Sequence, residues 1–294
     1  MGTLEIFSLL VIWWNFSRLL FTMKTKVTQV MNDWVVRPFV KSEVKGALKQ
    51  IYPLKALGPD GMPSLFFQHF WSTSCMVITK KVLDFLNFGI SPPHFNDTHI
   101  SLVPKIKEPK KITNYRPISL CNVVYKIASK AIVNRLKQFL PSIISDTQSA
   151  FVHGRLIIDN ILMAFETMHH INQKNGGKVG EMTLKLDISK VYDRVEWVWL
   201  EKVMEKLGFV DRIRDLIMRC VSTVTYSVKI NGVPRGHIIP SRGIRQGDPL
   251  SPYFFLLCAK GLFALIQSTV NRGQMEGVKI CKGGPRLSHL FFCR

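Results

Sequence analysis

At 294 residues the chain is long enough for one large domain or two ordinary ones. An apolar fraction of 47% beside 20% charged residues excludes global disorder and allows a sizeable core. Lys and Arg total 40 against 20 Asp and Glu, a formal charge of +20, which points to a polyanionic partner, nucleic acid first, ahead of a general solubility role.

The first apolar run, IFSLLVIWW at residues 6–14, is too short to cross a bilayer. No basic residue precedes it, whereas Arg18, Lys24 and Lys26 follow it, so a signal peptide or anchor is the lesser reading. Residues 1–37 read as an atypical N-terminal segment. Ser42 can cap a helix whose Val44, Ala47, Leu48 and Ile51 fall at helical spacing. The Gly/Pro-rich KALGPDGMP (55–63) follows, then a helix predicted at 75–87 that ends at Gly89 and Pro92–Pro93. THISLVP reads as a strand and leads into the basic KIKEPKKITNYRPISL. A long helix is predicted to run to about Leu140 and stop at Pro141. Another starts near Ile158, with Ile161, Leu162, Phe165 and Met168 on one face.

EMTLKLDIS (181–189) alternates: Met182, Leu184, Leu186 and Ile188 face one way, Thr183, Lys185 and Asp187 the other, as in a strand. Helices are predicted at 195–207 and 212–221, and a hairpin in TYSVKINGVPRGHI turning at Asn231–Gly232. Ser251 caps a long apolar helix with Pro252 in first position. MEGVKI and RLSHLFF read as two final strands. This order predicts a mixed α/β (α+β) fold, helices around a small antiparallel sheet. The six cysteines, Cys75, Cys121, Cys220, Cys258, Cys281 and Cys293, show no CxxC or Cys/His ligand spacing. They read as reduced thiols of an intracellular protein, with neither a zinc site nor a disulfide frame.

Four stretches could carry chemistry. Asp187, on the polar face of its strand and just before a turn, suits a hard metal ion; it also suits a helix cap or a solvated position. Tyr192 beyond it could wall a pocket or simply pack. RGIRQGDPLSP (242–252) precedes a helix N-terminus, where backbone N–H groups favour an anion or nucleotide, or it is an ordinary turn leading into a helix. Lys105, Lys107, Lys110, Lys111 and Arg116, opposed by Glu108 alone, could grip phosphates or form a solvated basic loop. QSAFVHGRLIIDNI (148–161) mixes Gln, aromatic, Gly and Arg ahead of a helix and could touch nucleic acid.

Taken in order, the blocks KALGPDGMPSLFFQHFW, ISLVPKIKEPKKITNYRPISLCNVVYKIASKAIVNRL, QSAFVHGRLIIDNI, LKLDISKVYDRVEW and GIRQGDPLSPYFFLL resemble the reverse transcriptases of non-LTR retrotransposons, especially the long-interspersed-element type of plants. The resemblance covers residues 38–292. It implies a right-hand polymerase, with fingers-like residues 38–180 and palm residues 181–294. It implies Asp187 as a metal-binding catalytic carboxylate and the Ile188 carbonyl as a second metal ligand. Tyr192 would screen the sugar 2′ position, while Lys105, Lys107, Arg116, Gln246 and Gly247 would contact the nucleotide. Phe151, Gly154 and Arg155 would contact the template. The implied cofactor is Mg²⁺ or Mn²⁺. The implied partners are an RNA template, RNA–DNA hybrid and deoxynucleoside triphosphates, with no membrane partner, in the nucleus or cytoplasm.

One block departs from the family. Where its motif reads SHLFFADD, this chain reads SHLFFCR, with Cys293 in the Ala position and Arg294 in the position of the first Asp. One carboxylate cannot hold two Mg²⁺ ions, and Arg294 adds positive charge where cations should sit. The expectation is therefore an incomplete palm, truncated before its Asp pair and catalytically inactive. The alternatives are a nucleic-acid-binding remnant and a relic reading frame that is never expressed.

Overall fold

The computed structural model describes residues 20–152, 154–174, 180–185, 190–281, 283–284 and 286–291. Helices α1 (Gln29–Val36), α2 (Lys41–Lys49), α3 (Ser64–His69) and α4 (Trp71–Phe88) precede strand β1 (Asp97–Pro104). Then come β2 (Tyr115–Cys121), α5 (Val123–Leu136), α6 (Leu140–Ile143), α7 (Ile157–Gln173), α8 (Trp197–Leu207) and α9 (Asp211–Ser222). The hairpin β3 (Thr225–Ile230) and β4 (Val233–Ile238) leads to α10 (Ser251–Asn271) and two short strands, β5 (Val278–Lys279) and β6 (Arg286–Leu287).

The four longer strands form one sheet in the order β2-β1-β3-β4. The sheet expected to be antiparallel is mixed, because β1 and β3 run parallel, Asp97 beside Thr225 through Ile100 beside Val228. The long helical connection between them supplies the crossover a parallel pair needs. The β3–β4 turn is as predicted: Asn231 and Gly232 both have positive φ, 51° and 81°, the two-residue turn that matches strand twist. One buried cluster spans the chain from Met23 to Leu257. Its centre is α5, where Tyr125, Ile127, Ala128, Ala131 and Ile132 are essentially inaccessible; each larger apolar side chain contributes about 1.5–3 kcal/mol on burial.

Of the atypical segment before residue 38, the described part joins that core through Met23, Val27 and Val35. Val27 N–H donates to the Leu207 carbonyl at 2.9 Å, and buried Asn32 bonds both Gly208 O (2.7 Å) and Val210 N (3.2 Å). A second tie runs through Arg135 on α5, only 2% exposed. Its guanidinium forms a two-pronged ion pair with Glu43 (2.8 and 2.7 Å), donates to the carbonyls of Val35, Arg37 and Pro38, and lies 3.4 Å from the centre of the Phe39 ring. Burial pushes the Glu43 carboxyl up, but hydrogen bonds from Arg135 and the Val40 N–H, with the charges of Arg135 and Arg37, hold it below the usual range.

Several local expectations shift. Helix α2 begins at Lys41, so Ser42 is not its cap; Glu43 instead reaches back to the Val40 N–H at 3.0 Å. Helix α4 starts at Trp71 and closes on Gly89, φ 71°. The helix predicted to reach Leu140 stops at Leu136, and Pro141 sits in the first turn of α6, where a missing N–H costs nothing. Ser251 is the first residue of α10 and Leu250 its cap. Glu181–Lys185 form no strand, and Met182 and Leu184 are 81% and 59% exposed, since alternation without a paired neighbour satisfies no backbone groups. Residues 186–189, which include Asp187 and Ile188, lie outside the described residues. The stripe of α7 faces solvent, with Ile161, Leu162, Phe165 and Met168 all exposed. The two final strands shrink to two residues each, and Phe291 instead bridges in parallel to Gln148.

Candidate nucleic-acid interface

The basic run forms the turn between β1 and β2. Lys105 N–H donates to Asn114 O at 2.8 Å and its Nζ to Thr113 O at 3.0 Å, closing the turn, while Lys107, Lys110 and Lys111 are exposed on it. Exposed Arg116 lies just inside the turn, opposite Val103. β2 is an edge strand, and its free N–H groups need a partner. The glycine loop provides one: Ser119 N–H donates to Gln246 O at 2.9 Å. Gly247 has φ 103°, and a Cβ there would stand 3.4 Å from Ser119 O. Gln246 and Gly247 are thus fastened to β2 three residues from Arg116, about 10 Å along the strand.

The other end of the loop reaches the Tyr192 segment. Gly243 N–H donates to Val195 O (2.7 Å) and Ile244 N–H to Tyr192 O (2.8 Å), while the Trp197 indole donates to Gly243 O (2.8 Å). The Tyr192 ring stacks on Phe255 of α10, centres 6.0 Å apart. Four of the predicted residues, Arg116, Tyr192, Gln246 and Gly247, are therefore joined by one loop, although 130 residues separate the first from the third.

What holds the loop was missed from the sequence. Arg245 and Asp248, 3% and 1% exposed, form a buried ion pair at 2.8 Å. Arg245 also donates to Asn96 Oδ1 and to Cys220 O (2.9 Å), and lies over the Tyr125 ring at 3.9 Å. The Tyr125 hydroxyl donates to Asp248 Oδ2 at 2.7 Å. Burial pushes that hydroxyl well above its ordinary range, so it stays a neutral donor. Asp248 Oδ1 accepts from Leu250 N–H at 2.9 Å. The helix N-terminus expected to receive an anion is thus served by a carboxylate of the chain itself. The Arg–x–x–Asp spacing was the available signal.

KALGPDGMP acts as a clip on the same strand end. Asp60 Oδ2 accepts from Val123 N–H at 2.7 Å, capping α5, and Asp60 N–H donates to Asn122 at 2.9 Å. A Cβ on Gly58 would fall 2.3 Å from Cys121 O, so only glycine lets the two backbones meet. Lys55 then reaches over to Gly247 O at 3.0 Å.

The template candidates occupy a different corner. Phe151, φ 61°, is 45% exposed, and Gly154, φ 79°, is open around its Cα. Arg155 is committed to its own loop, donating to the carbonyls of Pro141, Ser145 and Gln148 and pairing with Asp146. Phe291 joins this corner, its carbonyl accepting from buried Asn160 at 3.0 Å. Cys293 and Arg294 lie outside the described residues. Among the described residues no three His, Cys, Asp or Glu side chains converge as a metal cage, and Asp248 is already neutralised. The assignment of Asp187 to a metal rests on its sequence block.

Residues 106–282, more than half the chain, match the family described as reverse transcriptase (RNA-dependent DNA polymerase). The chain belongs to the reverse transcriptase family. It is 30% identical over 241 residues to an uncharacterized 149 kDa protein of transposon TX1 from Xenopus laevis, covering 82% of this chain and 18% of that protein. It is 23% identical over 246 residues to the retrovirus-related Pol polyprotein from the type-1 retrotransposable element R2 of Popillia japonica, covering 82% of this chain and 32% of that one. A 63-residue stretch is 48% identical to an uncharacterized mitochondrial protein of Arabidopsis thaliana, covering 21% of this chain and 52% of that protein. The family match and these transposon relatives make this a reverse transcriptase domain with non-LTR retrotransposon homologues. By length and composition α10 could cross a membrane, but in this fold it carries buried Tyr253, Phe254, Leu256 and Leu257 and meets the Trp199 indole of α8 through Cys258 O.

Proposed function

We propose that the chain supplies the nucleotide- and template-contacting part of an RNA-directed DNA polymerase of a non-LTR retrotransposon, with fingers at residues 38–180 and palm residues at 181–294. The carrying observation is the glycine loop, which ties the edge strand bearing Arg116 to the segment bearing Tyr192. Its partners in this reading are an RNA template, RNA–DNA hybrid and deoxynucleoside triphosphates, met in the nucleus or cytoplasm. Lys105, Lys107 and Arg116 meet triphosphate, Gln246 and Gly247 line the nucleotide, and Phe151, Gly154 and Arg155 belong to the template side, Arg155 by bracing the loop that carries the other two. Asp187 and the Ile188 carbonyl would hold Mg²⁺, which supplies charge stabilisation for nucleotidyl transfer in the family. The Arabidopsis stretch supports a plant lineage, and the long-interspersed-element type rests on the sequence blocks alone.

The test is binding of RNA–DNA hybrid across a salt titration. Affinity should fall steeply with salt, because released counterions drive such binding. Replacing Lys107, Lys110 and Lys111 together by Gln should flatten the log–log slope by about 2–3. Undetectable binding, or binding indifferent to salt, would defeat the proposal.

A further inference from the structure

Next to the glycine loop, which contributes Pro249 and holds Lys55 through Gly247 O, lies a cavity of about 460 Å³ lined by Gln50, Tyr52, Lys55, Lys126, Lys130 and Pro249 together with Ile51. Three of its lining residues are lysines and none is acidic. The nearby carboxylates are committed: Asp60 caps α5 and Asp248 pairs with Arg245. Two of the ammonium groups are anchored from below, Lys126 Nζ to Ala56 O (2.9 Å) and Lys55 Nζ to Gly247 O (3.0 Å), each with further donor capacity. Lys126 is buried and Lys55 and Lys130 are half-buried beside it, and gathering like charges with so little water is costly unless an anion joins them. Burial lowers the pKa of both Lys126 and Lys130, and for Lys130 the charges of Lys137 and Lys55 lower it further. The volume matches a nucleotide-sized ligand better than a lone ion. At the rim stands Tyr52, 69% exposed, an aromatic face beside a basic pocket.

We propose that this cavity binds a backbone phosphate of single-stranded nucleic acid, with the adjoining base stacked on Tyr52. The site rests on the polymerase reading above and adds to it a contact on the α2–α5 side of the glycine loop. Lys55, fastened to Gly247, would couple occupancy of the cavity to the position of the loop.

The experiment uses the full chain and a short fluorescein-labelled single-stranded RNA, read by anisotropy over a salt titration. Lys130→Gln should weaken binding roughly tenfold, the scale of one charged hydrogen bond, and flatten the log–log salt slope by about 0.7. Lys130→Arg should restore both, which separates a charge role from a folding defect. Tyr52→Ala should weaken binding about tenfold with the slope unchanged, since stacking releases no counterions. If wild type binds RNA and all three variants bind with its affinity and slope, the cavity proposal fails while the polymerase reading stands. If wild type does not bind RNA, both fail. Inorganic pyrophosphate is the second arm. If it raises the melting temperature of wild type but not of Lys130→Gln, while RNA affinity is the same in both, the cavity belongs to free polyphosphate and the backbone proposal is overturned.

Discussion

Arg245→Met removes one charge from the buried pair beneath the glycine loop and nearly conserves volume, so the cost reports electrostatics more than packing. Among the described residues Asp248, 1% exposed, would keep the Tyr125 hydroxyl and the Leu250 N–H as partners. Asn96 Oδ1 would lose its guanidinium donor, whereas Cys220 O would keep the Asn96 amide at 3.1 Å. Breaking a buried pair from one side costs about 3–5 kcal/mol, because an uncompensated charge remains. With a urea slope of about 3 kcal/mol/M for a chain of this size, the unfolding midpoint should fall by about 1–1.7 M. The double variant Arg245→Met, Asp248→Asn removes the stranded charge but leaves an acceptor for Tyr125. It should recover about 1–2 kcal/mol of the single variant's loss. A single-variant loss below about 1 kcal/mol, or a double variant no more stable than the single, would refute the coupling.

Gly58→Ala should cost about 1–3 kcal/mol, because its Cβ would meet the Cys121 carbonyl, whereas Gly46→Ala in α2, with open space around it, should stabilise by about 0.5–1 kcal/mol; equal thermal shifts would contradict the clip. The lowered Glu43 pKa adds stability that is present above its unfolded value near 4.3 and lost as pH falls through the lower folded value. Glu43→Gln should therefore show a flatter acid limb than wild type in urea midpoints below about pH 4.5, and parallel limbs would contradict the ion pair's role. Primer extension by this chain with Mg²⁺ or Mn²⁺ should not exceed an Asp187→Ala control, since Arg294 stands where the family motif has a carboxylate; template-dependent product above that control would sink the idea.

Much of the element order was legible in local residue patterns. The β1 strand, the Asn231–Gly232 hairpin and the helices α8, α9 and α10 follow from alternation, positive-φ turn residues and helical spacing, all of which act over a few residues. The blocks that place the chain among reverse transcriptases, and the +20 charge that suits an anionic partner, are likewise properties of sequence alone. Tertiary structure decided the rest. In sequence Arg245 and Asp248 are only members of a Gly/Pro loop; α5 places Tyr125 against them and makes them a buried pair. The sequence likewise puts the apolar stripe of α7 on one face, and only the fold shows that face exposed among the described residues. Lys55, Lys126 and Lys130 carry no common motif; the GPDG clip and α5 bring them to one cavity. Periodicity reports the geometry of a segment's own backbone. Whether a charge there is a solvated contact or a buried strut depends on what a distant segment lays over it.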